Sequence, residues 1–291
     1  MNKKNLLFLL MLLPLVASAQ TKRTIHVATA GTLSDYISNE EKYQIEELTL
    51  TGELNGSDFR LIRDMAGIDS YYKNSDEGVV FINTDGRLKT LDISNAAIVG
   101  GGSYYMETDG ISCTFCSEFL YTQDNCISTQ LFYQTKLESI ILPNNVTSIG
   151  GGAFADCSAL TSITISNNVT TIEGGAFQGC FGIKDFYCWA NNVPSTNDWT
   201  FDMTPCNSAT LHVPAGSVDT YKNTYPWSLF GTTVALTDDD PKPTGINSLK
   251  EDRPNHPTGI YSLDGKRLQK ELRGLNIIRM NNGKTTKSYF K

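Results

Sequence analysis

Hydrophobic and polar residues alternate in a pattern that returns along the middle of the chain. Leucine or isoleucine occupies the first, fourth and sixth positions of LESIIL (137–142) and of LTSITI (160–165). Side chains of a β-strand point to opposite faces in turn, so these apolar residues enter a core while the residues between them face outward. Each run therefore predicts a short strand with one buried face.

The second half of the same unit repeats as well. Residues 137–159 and 160–182 are identical at 13 of 23 positions, and both contain GGAF, then two variable residues, then Cys. A fixed period of this length is typical of a solenoid, in which each coil buries its apolar face only against its neighbours. The apolar positions of the returning half are Ile149, Ala153, Phe154 and Cys157 in the first copy, and Ile172, Ala176, Phe177 and Cys180 in the second.

The glycines and cysteines of this unit have separate expected roles. Glycine permits the tight turn or close backbone approach at which the chain reverses. Cys157 and Cys180 hold the same position in successive coils, where cysteine serves as a compact apolar side chain. A disulfide between them is geometrically possible, because neighbouring coils stack at about strand spacing. We favour a ladder of buried free thiols.

These residues resemble the motif of the BspA-like leucine-rich repeats of bacterial surface antigens, LxSIxLPxxVTSIGxGAFxxC. Residues 137–182 match it strongly, and weaker echoes extend the match over about residues 24–236. The resemblance implies an α/β-type solenoid, a leucine-rich repeat array with short parallel strands and irregular or helical returns. The echoes are Ile45, Leu48 and Leu50; Leu88, Leu91, Ile93 and Ile98; Phe132 in a degenerate coil; Ile183, Phe186 and Cys188; and a closing coil with Trp227.

The segment 99–136 departs from the period and contains a CxxC pair at 113–116. It is either an inserted loop with a function of its own or an imperfect repeat. We favour the imperfect repeat, because Phe115, Phe119 and Leu120 can supply core. The CxxC pair lacks the helix N-terminus and second ligand pair that a redox or metal site needs, so we expect a local disulfide or simple burial.

The first 19 residues are typical of a secretory signal peptide. Lys3 and Lys4 precede an apolar run over 6–16, and residues 17–19 form a cleavage site of the A-x-A type. The apolar run is shorter than the about 20 residues that a membrane-spanning helix needs, although an uncleaved anchor is the rival interpretation. We expect the mature chain to begin at Gln20 and to be exported to the extracellular space or the outer cell surface.

The net charge of the chain limits the classes of molecule that it is expected to bind. Cleavage removes two lysines and no acid, which changes the formal charge from −7 to −9. A mildly acidic chain with scattered charges has no basic stripe for nucleic acid or anionic lipid. We therefore expect no nucleic-acid partner, and a membrane association only through export or surface attachment.

Residues 238–258 have the proline, glycine and charge content of a linker between the repeat region 20–237 and a tail, 259–291. The tail alternates apolar and polar residues around DG and NNG turn signals, which predicts a small all-β module. It resembles the C-terminal sorting domains of the type IX secretion route, which implies export or surface attachment; a module retained after that role was lost is the alternative. The resemblance lies in Ile260, Tyr261, Leu263, Gly265, Gly274, Ile277 and Gly283.

The residues that could form a catalytic or metal site do not have the sequence spacing that such a site needs. The three histidines lie far in sequence from any serine or cysteine with nucleophile context. The acidic run 238–240 lacks the glycine and glutamate of a calcium loop, and the Gly-Lys-Thr at 283–285 lacks the first glycine of a phosphate loop. We expect no catalytic residue, no metal and no cofactor, so the chain is not predicted to be an enzyme.

The outward side chains of the strands form the remaining candidate site, because the sheet of a solenoid offers an extended binding face. The family resemblance implies adhesion to extracellular proteins of the host or of neighbouring bacteria; capture of a glycan for nutrient uptake is the alternative. Aromatic rings suit either partner, unless the two at the end of this column pack beneath the loop 191–208. The predicted ligand-binding residues are Ser139, Ile141, Ser162, Thr164, Asp185, Tyr187 and Trp189.

Overall fold

The computed structural model describes residues 21–75, 78–107, 119–243, 257–261, 267–268, 274–280 and 285–290. The chain divides into two compact units, Met1–Pro243 and Thr244–Lys291. The predicted signal peptide and the CxxC pair lie outside the described residues. Within the described ranges, no helix is long and apolar enough to cross a membrane.

The first unit is built mainly from short strands. They are β1 (Lys22–Val27), β2 (Glu47–Leu54), β3 (Ile68–Ser75), β4 (Gly78–Asn83), β5 (Thr90–Ile98), β6 (Gly101–Glu107), β7 (Phe119–Thr122), β8 (Cys126–Ile127), β9 (Ser139–Ile141), β10 (Ser148–Ile149), β11 (Ser162–Ile165), β12 (Thr171–Ile172), β13 (Asp185–Cys188), β14 (Thr210–Val213) and β15 (Thr232–Ala235). The α-helices are α1 (Gly56–Met65) and α2 (Val218–Lys222), and 3-10 turns cover Leu33–Asp35, Cys206–Ser208, Ala215–Ser217 and Trp227–Leu229.

Eight of these strands form one sheet in the order β1-β2-β5-β9-β11-β13-β14-β15, and every neighbouring pair is parallel. A second, narrow parallel sheet has the order β12-β10-β8. Consecutive coils thus pair with each other twice, once along the main sheet and once where the chain returns. The predicted leucine-rich repeat solenoid of the α/β type is confirmed.

One inward row crosses six strands of the main sheet at matching register. Each of its side chains is at most 1% exposed, so every coil covers the apolar residue of the next. Burying a side chain of this size stabilises the fold by about 1.5–3 kcal/mol. The apolar strand positions expected from the repeat are therefore core. The row consists of Leu48, Leu91, Ile140, Ile163, Phe186 and Leu211.

The returning halves of the coils are held by a stack of phenylalanine rings. Phe154 lies parallel to Phe132 and to Phe177, with ring centroids 5.1 and 5.3 Å apart, and Phe201 continues the stack 5.7 Å from Phe177. Phe132 is thus the equivalent of Phe154 in the preceding, degenerate coil, as expected. The stack runs across four coils and occupies the side of the core opposite the main sheet.

The glycines of GGAF make the reversal of the chain possible. Gly152 and Gly175, the second glycine of each pair, have φ of +62° and +65°, which is the left-handed region that favours glycine. At Gly174 a Cβ atom would lie 2.6 Å from the Asn197 side chain of the next coil. Both expected uses of glycine, the turn and the close approach, occur in this motif.

The cysteines of the repeat are free thiols. Cys157 Sγ donates to the Phe132 carbonyl at 2.9 Å, and Cys180 Sγ donates to the Phe154 carbonyl at 3.2 Å. Each thiol therefore bonds back to the phenylalanine of the coil before it. Both side chains are about 1% exposed and neither is in a disulfide, which confirms the ladder of buried thiols.

In the N-terminal part of the unit, helix α1 takes the place of the tight turn by which the later coils reverse direction. Asn55 and Asp58 form a capping box at its start, and Asp58 Oδ1 also accepts from the backbone N–H of Leu33 at 2.9 Å. Near its end, the buried Arg63 donates through Nη1 to the Leu131 carbonyl at 3.0 Å. Burial lowers the pKa of Arg63 to about 10, and the charge ties the helix to the coil that contains Phe132.

The segment 99–136 contains both an insertion and a repeat. Strands β6 and β7 form an antiparallel pair outside the main sheet, which the repeat pattern does not predict. From β8 onward the segment is an imperfect coil, because β8 pairs with β10 and Phe132 joins the ring stack. Leu120 is buried and Phe119 is half-buried, whereas Phe115 lies outside the described residues.

The closing coil covers the end of the core with aromatic side chains. Trp227 is fully buried, and its ring meets Phe186, Phe201 and Tyr221 edge-to-face. Its Nε1 donates to the Pro194 carbonyl at 3.3 Å, so the polar end of the indole is also satisfied. Strand β15 then adds the last strand of the sheet. The expected closing role of Trp227 is confirmed.

The second unit is the small all-β module predicted for the tail. Its strands are β16 (Pro257–Tyr261), β17 (Arg267–Leu268), β18 (Gly274–Met280) and β19 (Thr285–Phe290). They form an antiparallel sheet in the order β17-β16-β18-β19. The DG and NNG turn signals lie outside the described residues.

Truncation of the ring stack tests the packing of the coils. We expect Phe154→Ala to lower the free energy of unfolding by about 3–5 kcal/mol, because the substitution leaves a cavity between two stacked rings. Phe181→Ala is the matched control, since Phe181 is 56% exposed and its loss should change stability by less than about 0.5 kcal/mol. Chemical denaturation of both variants measures the difference. Equal effects would contradict a core centred on this stack.

The buried thiols predict a loss of stability at alkaline pH. Burial raises the pKa of Cys157 and of Cys188 from about 9 to about 11. Between these values the unfolded chain releases protons that the folded chain retains, so stability falls as the pH rises, by up to about 3 kcal/mol for each thiol. In unfolding experiments under reducing conditions, Cys157→Ala/Cys188→Ala should be less stable at pH 7 but decline less steeply between pH 9 and 11. An unchanged slope would show that these thiols are not buried.

Candidate functional site

The outward side of the main sheet carries two rows of side chains at successive register positions. Residues with hydroxyl groups make up five of the eight positions in the first row and four of the eight in the second, and larger apolar and aromatic side chains are concentrated from β9 to β15. In strand order the rows are Lys22, Glu47, Thr90, Ser139, Ser162, Asp185, Thr210 and Thr232, and then Thr24, Thr49, Asp92, Ile141, Thr164, Tyr187, His212 and Val234.

Tyr187 and His212 form a ring stack on this face. They come from the adjacent strands β13 and β14, and their ring centroids lie 4.3 Å apart at an interplanar angle of 26°. On β13, Asp185 Oδ1 lies 3.0 Å from His212 Nε2. Because the rings are already held by their neighbours, they have little side-chain freedom left to lose when a partner binds.

The Tyr187 phenol is held in its neutral form. Partial burial raises its pKa above the ordinary value near 10, and the negative charges of Asp185 and Asp240 raise it further. At neutral pH the hydroxyl group therefore both donates and accepts hydrogen bonds. The phenol offers a partner an apolar ring together with a polar end.

The structure brings most of the predicted site residues together. Ser139 pairs in register with Ser162, and Ser162 with Asp185, so these three form one continuous row. Ile141 and Tyr187 stand in the next row. All five are half-buried on the outward side of neighbouring strands.

Thr164 is the exception on the sheet. It belongs to the outward row, but it is 1% exposed, so the expectation that it contacts a ligand directly is wrong. It lies in register between Ile141 and Tyr187, and these longer side chains flank the short threonine on both sides. Thr164 forms the floor between them.

Trp189 also differs from expectation, because β13 ends at Cys188 and Trp189 therefore lies beyond the carboxyl end of the strand. Its Nε1 donates to the Pro241 carbonyl at 2.9 Å, and Lys242 Nζ lies 5.8 Å from the ring centroid. These contacts hold the ring against residues 241–242 and not beneath the loop 191–208. They also attach the start of the segment expected to be a linker to the first unit.

Trp189 lines an open cleft of about 460 Å³ at the carboxyl edge of the sheet. Asparagine side chains from three successive coils face this cleft, and residues from the closing coil complete it. The lining residues are Asn144, Asn167, Trp189, Asn191, Pro214, Ala215, Leu236, Lys242 and Pro243.

Two features of this surface are not among those predicted from the sequence. His212 stands between the buried Leu211 and Val213, and the same alternation that placed Tyr187 outward would have placed it in the same row. The asparagines of the cleft recur near the same point of each coil, as PNN, SNN and ANN, with the third pair one residue later than the 23-residue period. Their spacing was a detectable signal, but their convergence on Trp189 depends on the path of residues 236–243.

The described residues offer little to hold a metal ion, since no group of three or more His, Cys, Asp or Glu side chains comes together among them. His212 and Asp185 come closest to forming an acid–base pair, because the two side chains are in contact. The His212 ring also stacks on Tyr187. Among the hydrogen bonds of the described part, no serine or cysteine bonds to this pair.

The match to a family model agrees with this architecture. Residues 125–223 match the BspA type leucine rich repeat region in six copies. A solved structure of a leucine rich cell surface protein from Faecalibacterium prausnitzii A2-165 is 16% identical, with a TM-score of 0.28, and the match covers 76% of this chain. The chain spans about half (49%) of the length of that structure. No curated protein matches the sequence. Six copies of the BspA type leucine rich repeat thus occupy residues 125–223, the central part of the solenoid.

Proposed function

We propose that the chain is an exported, non-enzymatic binding protein of the cell surface that adheres to an extracellular protein of the host or of a neighbouring bacterium. The predicted signal peptide and the likeness of the tail to type IX sorting domains support export. The repeat family supports a surface role in protein binding. The outward face of the main sheet is the proposed contact surface.

The stack of Tyr187 on His212 is the observation that carries this proposal. The solenoid buries its core on the opposite side of the sheet, so these rings are not needed to close it. Aromatic side chains in fixed positions are characteristic of the residues that dominate the energy of protein interfaces. Asp185, on the same face, adds a polar contact that sets the orientation of the histidine.

The surroundings of this pair also suit a protein partner. Ile141 provides an apolar side chain in the same row, and Ser139 and Ser162 provide hydroxyl groups beside it. Interfaces of this kind combine an apolar centre that is poor in charges with a polar rim. Strands β9, β11, β13 and β14 therefore supply the proposed centre of contact.

Capture of a glycan is the second candidate function, and a different observation supports it. Trp189, the aromatic residue on which that alternative depended, lies in the cleft at the edge of the sheet. The two candidate functions thus correspond to two separate surfaces. Each can be removed by substitution without altering the other.

The proposal is tested by binding of residues 20–291 to an array of extracellular-matrix proteins and bacterial surface proteins. We expect at least one protein to bind, and Tyr187→Ala/His212→Ala to weaken that binding by about tenfold or more, since the variant removes a central pair of rings. Surface plasmon resonance on the protein that binds measures the change.

Phe181→Ala/Trp199→Ala is the matched control. It removes two aromatic rings that are 56% and 67% exposed and lie outside the sheet face, so it should leave the affinity unchanged. A loss in the control with no loss in the sheet-face variant would refute the proposed surface.

A further inference from the structure

The turns at the carboxyl edge of the sheet assign different tasks to their paired asparagines. In the first two of these turns, the second asparagine holds neighbouring coils together. Asn145 Nδ2 donates to Asn125 Oδ1, and Asn168 Nδ2 donates to the Asn144 carbonyl, both at 2.6 Å. The side-chain amides of Asn145 and Asn168 are therefore already engaged in hydrogen bonds within the solenoid.

The first asparagine of each pair has no such task. The side chains of Asn144, Asn167 and Asn191 line the cleft beside Trp189, and none of them makes a hydrogen bond to any residue in the part of the chain that the structure describes. Each amide presents one oxygen acceptor and two N–H donors. Three unused amides from three successive coils therefore face the same space.

The backbones that carry these amides are fixed. The Asn144 carbonyl accepts from Asn168, and the Asn191 carbonyl accepts from Ser217 Oγ at 2.6 Å. Asn144 and Asn167 hold matching positions on neighbouring parallel coils, three residues beyond the paired Ile141 and Thr164, and Asn191 lies one residue further along the next coil. The cleft thus presents amides from three adjacent coils.

Trp189 forms an aromatic wall of the same cleft. Its hydrogen bond to the Pro241 carbonyl fixes the orientation of the ring. Lys242 is the one charged residue among those lining the cleft in the described part, and its ammonium group pairs with Asp238 at 2.9 Å. The lining is therefore close to neutral as well as polar and aromatic.

We infer that this cleft is a binding site for a neutral polysaccharide. Sugar hydroxyl groups both donate and accept, which complements the amides of Asn144, Asn167 and Asn191. The face of an indole ring packs on the C–H face of a pyranose, and a neutral lining favours an uncharged chain over an acidic one. The cleft is open to solvent, so a polymer can reach its amides. The inference does not rest on the sheet-face proposal.

The test is isothermal titration calorimetry of residues 20–291 with four soluble neutral polysaccharides, namely pullulan, laminarin, galactomannan and arabinoxylan, and with polygalacturonate as the acidic probe. We expect saturable binding of at least one neutral polymer and none of polygalacturonate. Asn167→Ala/Asn191→Ala should weaken that binding by about tenfold or more, because two hydrogen-bonding amides are lost. Both side chains are exposed, so the variant should fold normally.

The control is Asn207→Ala/Asn223→Ala, which removes two exposed asparagines outside the cleft and should bind as the unmodified protein does. Failure of all four neutral polymers to bind, or equal binding by the cleft variant and the control, would overturn the inference. Preferential binding of polygalacturonate would overturn it as well. The cleft variant should still bind the protein partner of the sheet face, so the two proposals can fail separately.

Discussion

Each coil of this solenoid can bury its apolar side chains only against the coils on either side of it, and that requirement determines the rest of the structure. The inward row through Ile140 and Ile163 and the ring stack through Phe154 both run along the axis of the array. Every coil must therefore present the same side chain at the same register. At the end of the array no further coil covers the apolar side chains. Trp227 covers the last rings instead.

The same register that aligns the core also aligns the surface. Residues between the buried positions form outward rows on the sheet, and residues just past each strand form further rows along its carboxyl edge. The rows differ in chemistry, with a stacked Tyr187 and His212 on the face and asparagine amides beside Trp189 at the edge. A repetitive fold can thus present two surfaces of different chemistry without a change in its core.

The sequence was sufficient for the core but not for the surface. Positions such as Ile140 and Phe154 were predictable, because the same residue recurs in both copies of the repeat and a buried position accepts few residue types. Thr164 was misjudged because alternation gives the direction of a side chain but not the size of its neighbours, Ile141 and Tyr187. Trp189 was misjudged because its strand ends at Cys188 and its contact, Pro241, is 52 residues away. The antiparallel pair β6–β7 interrupts the repeat and has no counterpart from which to infer it.

Side-chain footprinting of the protein in complex with its extracellular protein partner tests the central claim most directly. Hydroxyl-radical labelling of free and bound protein reports the exposure of individual side chains on both sides of the solenoid. Binding through the sheet face predicts that the partner protects Ile141, Tyr187 and His212 and leaves Phe181 and Trp199 labelled as before. Protection of Phe181 and Trp199 with unchanged labelling of Tyr187 would contradict the account.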